Sequence, residues 1–489
     1  MVRYKLVKHK WPDEIEAERK RRNQRLLTIA ACLVFFVGGF LTNTLLNGNA
    51  AVASNDEFSK LYEIYNTMNT KFYFGKDKEN FSQTLINGAI NGLVEAGGDQ
   101  HTMYLDNEQT QSFNSSMEGS FVGIGIQYYE PADGIFIITR VYKDSPAEEA
   151  GLKQGDQIVA VDGEDIQDKT IDEVADMIKG SEKTTVNVEI IRDKEHLKKD
   201  VERREVLSSV YSDLNGSTGT IELYTFAETS GTEMGSHLKS LKENGCKNLI
   251  LDLRDNGGGY VTAAQEIASY LLPEGTVIFK EKDRNDKITE YTVKEGYPQY
   301  SFDKIIILVN KDTASAAEIL TAALQEQLNA TVLGVQTYGK GTVQIPIVFK
   351  DGSMFKYTSN EWLSSMGKSI NGIGITPDVE VTLDPAITTS APKLEDEVYE
   401  ADTVNIAAKS VQTYLKFLGY PVDRTDSYFS AASSEALKQY QKDEGLSVTG
   451  KINEEVVSSL VSKGSIKWHN EQEILDLQMK KAVDIINGK

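Results

Sequence analysis

Several features that common classes of protein depend on are scarce in this sequence. Its 489 residues contain two cysteines, and Cys32 lies in a long apolar run, so a disulfide with Cys246 cannot hold a fold together. Basic residues are outnumbered, with 52 Lys and Arg against 73 Asp and Glu. The net charge of −21 repels phosphates and argues against nucleic acid as a partner. A chain of this length is expected to form two or more domains.

Motifs for several kinds of chemistry are also missing. No serine stands in a Gly-x-Ser-x-Gly elbow, and no carboxylate pair for glycan hydrolysis can be identified, although the fold could assemble one. Residues 334–341 nearly spell a phosphate-binding loop, but Gly341 replaces the Ser or Thr that binds magnesium, and residues 342–348 are typical of a strand. The acidic stretch 423–434 lacks the glycine and final glutamate of a calcium loop. We predict no metal and no cofactor.

The most informative residues are Ser315 and Lys340, because each follows an apolar run typical of a strand. Residues 305–309 precede the serine, residues 332–335 precede the lysine, and a third run at 249–253 leads into Arg-Asp-Asn-Gly-Gly-Gly. Helical patterns follow two of these runs, at about 260–271 and 316–328. The alternation predicts parallel strands joined by right-handed crossovers, whose carboxyl ends meet at one edge of a sheet.

The residue types at this edge fit nucleophilic catalysis. Ser315 would expose its hydroxyl at a helix start, where the N–H of Ala316 favours a developing oxyanion, and the glycine run would present a second N–H from Gly258. Lys340 can take the serine proton only when neutral, and at a pKa of ~10.4 about one lysine in ~2,500 is neutral at pH 7. Burial must therefore lower its pKa, and Gln344 could hold the amine in line.

Ordinary structural roles remain open for the same residues. A serine at the start of an Ala-rich helix is usually a cap, Gly-Lys-Gly is usually a solvated turn, and Asn-Gly-Gly-Gly is usually just a turn. Catalysis is favoured because all three stretches follow strands of one predicted sheet.

Four stretches carry a resemblance to a known family. They are Thr-Ala-Ser-Ala-Ala-Glu-Ile around Ser315, Tyr-Gly-Lys-Gly-Thr-Val-Gln around Lys340, Asp-Leu-Arg-Asp-Asn-Gly-Gly-Gly, and Gly-Ile-Thr-Pro-Asp. Over about residues 56–388 the chain resembles the carboxyl-terminal processing (tail-specific) proteases. The resemblance implies a Ser-Lys dyad assisted by glutamine, which maps onto Ser315, Lys340 and Gln344. Residues 98–105 also resemble the family, and we interpret His101 there as a packing or capping residue rather than a base.

A second resemblance covers residues 113–202. This stretch is similar to a PDZ domain. It contains, in order, Gly-Ser-Phe-Val-Gly-Ile-Gly-Ile, Ser-Pro-Ala-Glu-Glu-Ala-Gly-Leu and Gly-Asp-Gln-Ile. Successive backbone N–H groups at Val122, Gly123, Ile124 and Gly125 would form a nest for the free carboxylate of a protein tail, and the tail would add as a strand.

The N-terminus predicts a location. Residues 26–46 are largely apolar, long enough to span a bilayer, and preceded by a basic flank that should stay cytoplasmic. We therefore expect a single-pass membrane protein whose catalytic domains are extracellular. The alternative is a protein secreted after signal cleavage near Ala53.

Residues 403–464 resemble a helical peptidoglycan-binding domain, and a plain packing or dimerisation unit is the alternative. The last segment, 471–487, has apolar residues at helical spacing and must pack on the protease body or a second subunit. The expected partners are peptidoglycan and a second copy of the chain in a homodimer, the latter favoured by the resemblance.

Together these features predict a multidomain α/β protein in eight segments: a cytoplasmic basic tail (1–25), a transmembrane anchor (26–46), an N-terminal helical region (55–112), a β-rich PDZ domain with two helices (113–202), an α/β Ser-Lys protease core (203–387), a linker (388–402), an all-α peptidoglycan-binding-like domain (403–464) and a C-terminal helix (465–489). The predicted function is a serine endopeptidase that recognises C-terminal tails. The alternative is a non-catalytic PDZ scaffold that holds tails at the cell wall.

Overall fold

A computed structural model describes residues 55–489, apart from residues 118, 133–134, 193, 390, 393 and 395–396. The predicted basic tail, the predicted membrane anchor and the alternative cleavage site near Ala53 lie outside the described residues. Within the described part, no helix has the length and apolar character needed to cross a membrane. The chain divides into two compact units, Met1–Ala96 and Gly97–Lys489.

The described part of the first unit is helical, as predicted. It consists of α1 (Asn55–Lys71), a 3-10 turn (Tyr73–Gly75) and α2 (Phe81–Glu95). The second unit begins with strand β1 (Met103–Leu105) and helix α3 (Asn107–Met117).

The predicted PDZ segment forms a small sheet with two helices. Its strands are β2 (Ser120–Gly123), β3 (Ile126–Ala132), β4 (Ile135–Val141), β5 (Gln157–Val161), β6 (Glu164–Asp165), β7 (Thr185–Arg192) and β8 (Glu195–Glu202). The short strand β9 (Arg204–Leu207) follows directly after this segment. The helices are α4 (Pro146–Glu149) and α5 (Ile171–Ile178). The sheet order is β3-β4-β5-β7-β8, with β6 beside β5, while β2 pairs with β9. Alternate residues of β7 are fully buried, as the period of a half-buried strand requires.

The central domain contains two sheets. Its strands are β10 (Val210–Asn215), β11 (Thr218–Leu223), β12 (Asn248–Asp252), β13 (Val277–Asp283), β14 (Ile288–Thr292), β15 (Lys304–Val309), β16 (Thr331–Gly334), β17 (Thr342–Val348), β18 (Met354–Ser364) and β19 (Val379–Glu380). Its helices are α6 (Ser230–Glu243), α7 (Val261–Leu271), α8 (Ala316–Leu328) and the short α9 (Pro385–Thr388). The helices predicted at 260–271 and 316–328 and the strand predicted at 342–348 are therefore confirmed.

The larger sheet has the order β10-β11-β12-β15-β16-β19 and is parallel from β11 onward, as predicted. One face packs α6, α7 and α8 against residues such as Leu251 and Ile307. The carboxyl ends of β12, β15 and β16 lie at one edge, and the loops leaving that edge carry the predicted site.

The smaller sheet shows that the expected boundary at residue 112 is misplaced. Its order is β1-β18-β13-β14, with β17 pairing with the other side of β18. Strand β1 pairs antiparallel with β18, from Met103 opposite Lys356 to Leu105 opposite Met354. Residues 97–105 therefore belong to the central domain. The sequence did not indicate this, because the partner strand lies about 250 residues further along the chain.

The C-terminal region consists mainly of helices. It comprises β20 (Thr403–Val404), α10 (Ile406–Phe417), β21 (Tyr428–Phe429), α11 (Ala431–Asp443), α12 (Glu454–Asn470), α13 (Gln472–Leu475) and α14 (Leu477–Ile486). Helix α12 continues past the expected boundary at residue 464.

The single helix expected at 471–487 is broken at Asp476. The carboxylate of Asp476 caps α14 by accepting the Met479 N–H at 2.9 Å, and it pairs with Arg254 at 2.9 Å. Helix α14 covers the other face of the larger sheet, where Ala482 packs against Ile250 and Leu308. Of the two partners that the sequence left open for this segment, the protease body is the one the structure supplies.

Candidate active site

Ser315 lies directly before helix α8, at the carboxyl edge of the larger sheet. Its backbone has φ 58° and ψ −118°, in a region that residues other than glycine rarely adopt. Such strain costs on the order of 1–3 kcal/mol and is concentrated at functional sites. The N–H of Ala316, the first helical residue, has no acceptor in the described part of the chain. The turn therefore places a serine beside a backbone donor that is free to bind a ligand.

Glu318 ties the serine loop to the lysine loop. Its carboxylate is fully buried, and Oε2 accepts the backbone N–H groups of Ser315 and Lys340, each at 2.9 Å. Oε1 accepts the Gly339 N–H at 2.7 Å and the Thr337 hydroxyl at 2.6 Å. Because one oxygen holds both backbones, Ser315 and Lys340 lie within about one side-chain length of each other.

The sequence did not indicate this clamp, although Glu318 lies in the Thr-Ala-Ser-Ala-Ala-Glu-Ile motif around Ser315. The spacing Ser-x-x-Glu at a helix start is the signature of a capping box, in which the glutamate reaches back to the cap N–H. That pattern predicts the bond between Glu318 and Ser315. Nothing local predicts the three further bonds to residues 337–340, which depend on the packing of β16 beside β15.

The surroundings of Lys340 favour the neutral form of its amine. It is half-buried, and it forms no ion pair with any residue the structure describes. Burial, reinforced by the positive charge of Lys356, lowers the pKa of Lys340, while Asp99 and Glu318 act in the opposite direction. The net shift is downward, as a general base needs.

The glycines on either side of Lys340 allow close packing, as predicted. A Cβ on Gly341 would lie 2.4 Å from the backbone nitrogen of Asn371, and a Cβ on Gly339 would lie 2.8 Å from that of Gly374. Any side chain at these positions would push the 371–374 segment away from Lys340.

Gln344 lies on β17, opposite Thr358 of β18. Its Nε2 donates to the hydroxyls of Thr342 at 2.9 Å and Thr358 at 3.2 Å. Its Oε1 makes no hydrogen bond to another described residue. The amide therefore has both donors engaged and its acceptor free.

Gly258 lies against Ser315, but its N–H is engaged. A Cβ there would lie 2.8 Å from the Ser315 Cβ and 2.9 Å from the Ala316 nitrogen. Its φ of 94° suits glycine. The N–H donates to Asn256 Oδ1 at 2.8 Å, and Asn256 is fully buried. The donor predicted for an oxyanion is therefore next to the serine and satisfied internally in this conformation.

Residues 99–102 approach the same site, which the sequence did not indicate. Burial, together with the charges of Lys340 and Lys356, lowers the pKa of His101, while Asp99 acts against them. The His101 N–H donates to Asp99 Oδ1 at 3.1 Å. The strand pairing of β1 with β18 brings this turn to the lysine.

The predicted tail-binding residues lie at the entrance to β3, the edge strand of the PDZ sheet. Val122 and Gly123 end strand β2, and Ile124 and Gly125 form the connection to β3. The carbonyls of Ile124 and Gly125 accept the N–H groups of Ala147 and Tyr142, respectively. The N–H groups of Ile124 and Gly125 have no acceptor within the described ranges. These two donors are therefore available to a ligand.

Comparison with known proteins agrees with this architecture. Three family profiles match: peptidase family S41 over residues 217–381, a PDZ domain over 137–192 and a peptidoglycan binding domain over 407–460. The chain is 32% identical over 462 residues to the "Carboxy-terminal processing protease CtpA" of Bacillus subtilis (strain 168), which covers 94% of this chain and 96% of that protein. This chain belongs to the carboxyl-terminal processing proteases. It is a serine-type peptidase.

Other relatives agree with that membership. A "Probable CtpA-like serine protease" of Staphylococcus aureus (strain COL) is 32% identical over 458 residues, which cover 92% of this chain and 89% of that protein. Among solved structures, a photosystem II D1 C-terminal processing protease is 23% identical, covers 67% of this chain and 93% of that chain, and has a TM-score of 0.39. That score is too low to add weight, so membership in the carboxyl-terminal processing proteases rests on the sequences.

Proposed function

We propose that this protease hydrolyses peptide bonds with a Ser315–Lys340 dyad supported by Gln344, on proteins whose C-terminal tails its PDZ domain binds. The observation that carries the proposal is the shared Glu318 oxygen, which holds the backbones of the serine and the lysine side by side. The lowered pKa of Lys340, caused by burial and Lys356, supports its role as the base.

The reaction would proceed in two stages. Ser315 Oγ attacks the scissile carbonyl and passes its proton to Lys340 Nζ, which then protonates the leaving amine. Lys340, neutral again, takes a proton from water, and the hydroxide attacks the ester on Ser315. The proton returns to Ser315 as the acid product leaves.

Two backbone donors would stabilise the oxyanion. The Ala316 N–H is free and lies at a helix N-terminus, which favours negative charge. The Gly258 N–H would have to exchange Asn256 Oδ1 for the substrate oxygen. Binding of substrate is therefore accompanied by a small movement of the 255–259 loop.

The mechanism is tested with the full-length chain, purified in detergent, and a protein that ends in an apolar tail. Mass spectrometry of the products should show internal cleavage by the wild type, and a fluorophosphonate should acylate Ser315. A wild type that cleaves candidate substrates while Ser315 stays unlabelled would refute the assignment of the nucleophile.

Tail recognition is expected to depend on a free carboxylate. The N–H groups of Ile124 and Gly125 are free at the entrance to edge strand β3, where a peptide could add as a further strand. Amidating the C-terminus of a tail peptide removes a charge-assisted hydrogen bond, so binding to the Ser315→Ala chain should weaken about tenfold or more. Fluorescence anisotropy with acid and amide forms of one peptide measures this. Equal affinities would rule out the carboxylate nest.

The pH dependence of activity should respond to Lys356. Its positive charge helps to lower the pKa of Lys340, so Lys356→Met should raise that pKa. Because the neutral amine is the active form, the acidic limb of the kcat/KM profile should move to higher pH, and the rate at pH 7 should fall several-fold. Lys350→Met, which removes an exposed lysine, is the control and should leave the limb in place. If the acidic limb of the kcat/KM profile does not move to higher pH in Lys356→Met, a group other than Lys340 is responsible for that limb.

The location and partners complete the proposal. Residues 26–46 would anchor the chain in the membrane with the catalytic domains outside, or the chain would be secreted after cleavage near Ala53. The C-terminal helical module would bind peptidoglycan. A homodimer is supported by the exposed apolar side chains of Phe58, Tyr62 and Leu93 in the first unit, and sedimentation of the purified chain would test it.

A further inference from the structure

Strand pairing brings the 99–102 turn, which is distant in sequence, close to Gln344. Strand β1 runs antiparallel to β18, and β18 pairs with β17 so that Thr358 lies opposite Gln344. Just before β1, the turn containing Asp99 and Thr102 meets β18 where the Thr358 N–H donates to Thr102 Oγ1 at 3.1 Å. Asp99, in the turn before β1, thus lies in line with Thr358 on β18 and Gln344 on β17.

Asp99 is a charged acceptor in this row. It receives the Thr102 hydroxyl at 2.5 Å and the His101 N–H at 3.1 Å. Burial acts to raise the pKa of Asp99, but hydrogen bonds from Thr102, Thr358 and the His101 N–H outweigh it and leave the pKa below its ordinary value. The carboxylate is therefore ionised at neutral pH and can only accept.

This charge sets the direction of the hydroxyl protons in the row. The Thr102 proton points to Asp99, which leaves Thr102 Oγ1 to accept the Thr358 N–H. Thr358 lies close enough to Asp99 for its hydroxyl to help lower the pKa of that carboxylate, and Thr358 Oγ1 accepts Gln344 Nε2 at 3.2 Å. With the hydroxyl proton drawn toward the charge of Asp99, its lone pairs face Gln344. A side-chain amide is nearly symmetric in shape, and only its partners decide which end carries the donors. Because the lone pairs of the Thr358 hydroxyl face Gln344, the Nε2 end of the Gln344 amide must lie beside Thr358.

We infer that Asp99 is a positioning residue of the catalytic centre, which through the Thr358 hydroxyl orients the Gln344 amide so that Oε1 is left to hold the Lys340 amine. The inference rests on the proposed dyad and assigns a purpose to the 99–102 turn. With the amide reversed, Gln344 would present N–H groups to the lysine, and these repel an ammonium and cannot support proton transfer to the amine.

The test removes one hydroxyl. Thr358→Val keeps the side-chain shape and should lower kcat about tenfold, the order expected for one buried hydrogen bond, with KM unchanged. Thr358→Ser restores the hydroxyl and should recover most of the activity on an internally quenched peptide with an apolar, free C-terminus. Equal losses in the valine and serine variants would overturn the inference, and so would a valine variant as active as wild type.

A double-mutant cycle checks that the effect passes through Gln344. In a Gln344→Ala background, Thr358→Val should cost no further activity, because no amide remains to be oriented. Losses that simply add would overturn the inference. Should Thr358→Val fail to fold, Asp99→Asn takes its place in the same cycle, since it keeps the shape of the residue and removes the charge that directs the protons.

Asp99→Asn also has a signature in pH. The negative charge of Asp99 raises the pKa of Lys340, which Lys356 lowers and Glu318 raises, with His101 close by. Its removal should move the acidic limb to lower pH while kcat at the plateau falls. If Asp99→Asn leaves both the position of the acidic limb and the plateau value of kcat unchanged, the inference is overturned. A wild-type chain that cleaves nothing, with Ser315 unlabelled, contradicts the proposed dyad itself and is thereby distinguished from a failure of Asp99 alone.

Discussion

Ser315→Ala and Lys340→Met are each expected to lower kcat/KM by at least about a thousandfold, since the members of a nucleophile–base pair act as a unit. Alanine removes the attacking oxygen, and methionine keeps the aliphatic stem of the lysine but cannot accept a proton. The double variant should be no slower than either single variant. Steady-state cleavage of the quenched peptide measures all three.

Lys311→Met is the matched control, because Lys311 lies in the loop that leads to Ser315 with its side chain 60% exposed. It should keep near wild-type kcat/KM. Retention of activity by Lys340→Met would show that another group takes the serine proton, and substantially different single-variant losses would show that the two residues do not act as one unit.

Glu318→Gln is expected to damage both stability and activity. The carboxylate accepts four hydrogen bonds, whereas an amide offers one acceptor oxygen and turns its nitrogen toward donors. Leaving buried donors unpaired costs about 2–4 kcal/mol of the free energy of unfolding. A shift of Ser315 relative to Lys340 by about 1 Å should lower kcat about a hundredfold.

Glu326→Gln separates these two effects. Glu326 lies on the same helix and accepts the hydroxyls of Ser364 and Ser365 and the N–H of Met366, away from the serine. It should lose stability in thermal unfolding but keep its kcat at temperatures where it is folded. Full activity in folded Glu318→Gln would show that the clamp does not align the dyad.

The local elements of this protein could be read with little error. Helix α8 was predicted at 316–328 and has those bounds, and strand β17 was predicted at 342–348. Apolar periodicity and glycine placement decide such elements within a few turns of chain. The alternation of strands and helices was likewise enough to predict a parallel sheet with Ser315 and Lys340 leaving one edge.

The elements that were predicted wrongly are those whose contacting residues are distant in sequence. Strand β1 was assigned to a helical region because three residues carry no periodicity, and its partner in β18 begins at Met354. The break at Asp476 has the same cause, since the ion pair with Arg254 competes with a continuous helix. In both cases a tertiary contact overrides a weak local preference.

The sequence by itself determined that this chain is a serine-type peptidase, and it predicted that Ser315 and Lys340 follow strands of one sheet, with glycines around the lysine that admit close packing. Only the tertiary structure decided how those groups are held. Glu318 binds two loops at once, Asn256 occupies the Gly258 donor, and Thr358 of the neighbouring strand accepts Gln344. Hydrogen bonds between residues far apart in the chain depend on how the sheets pack, and local propensities do not encode that packing.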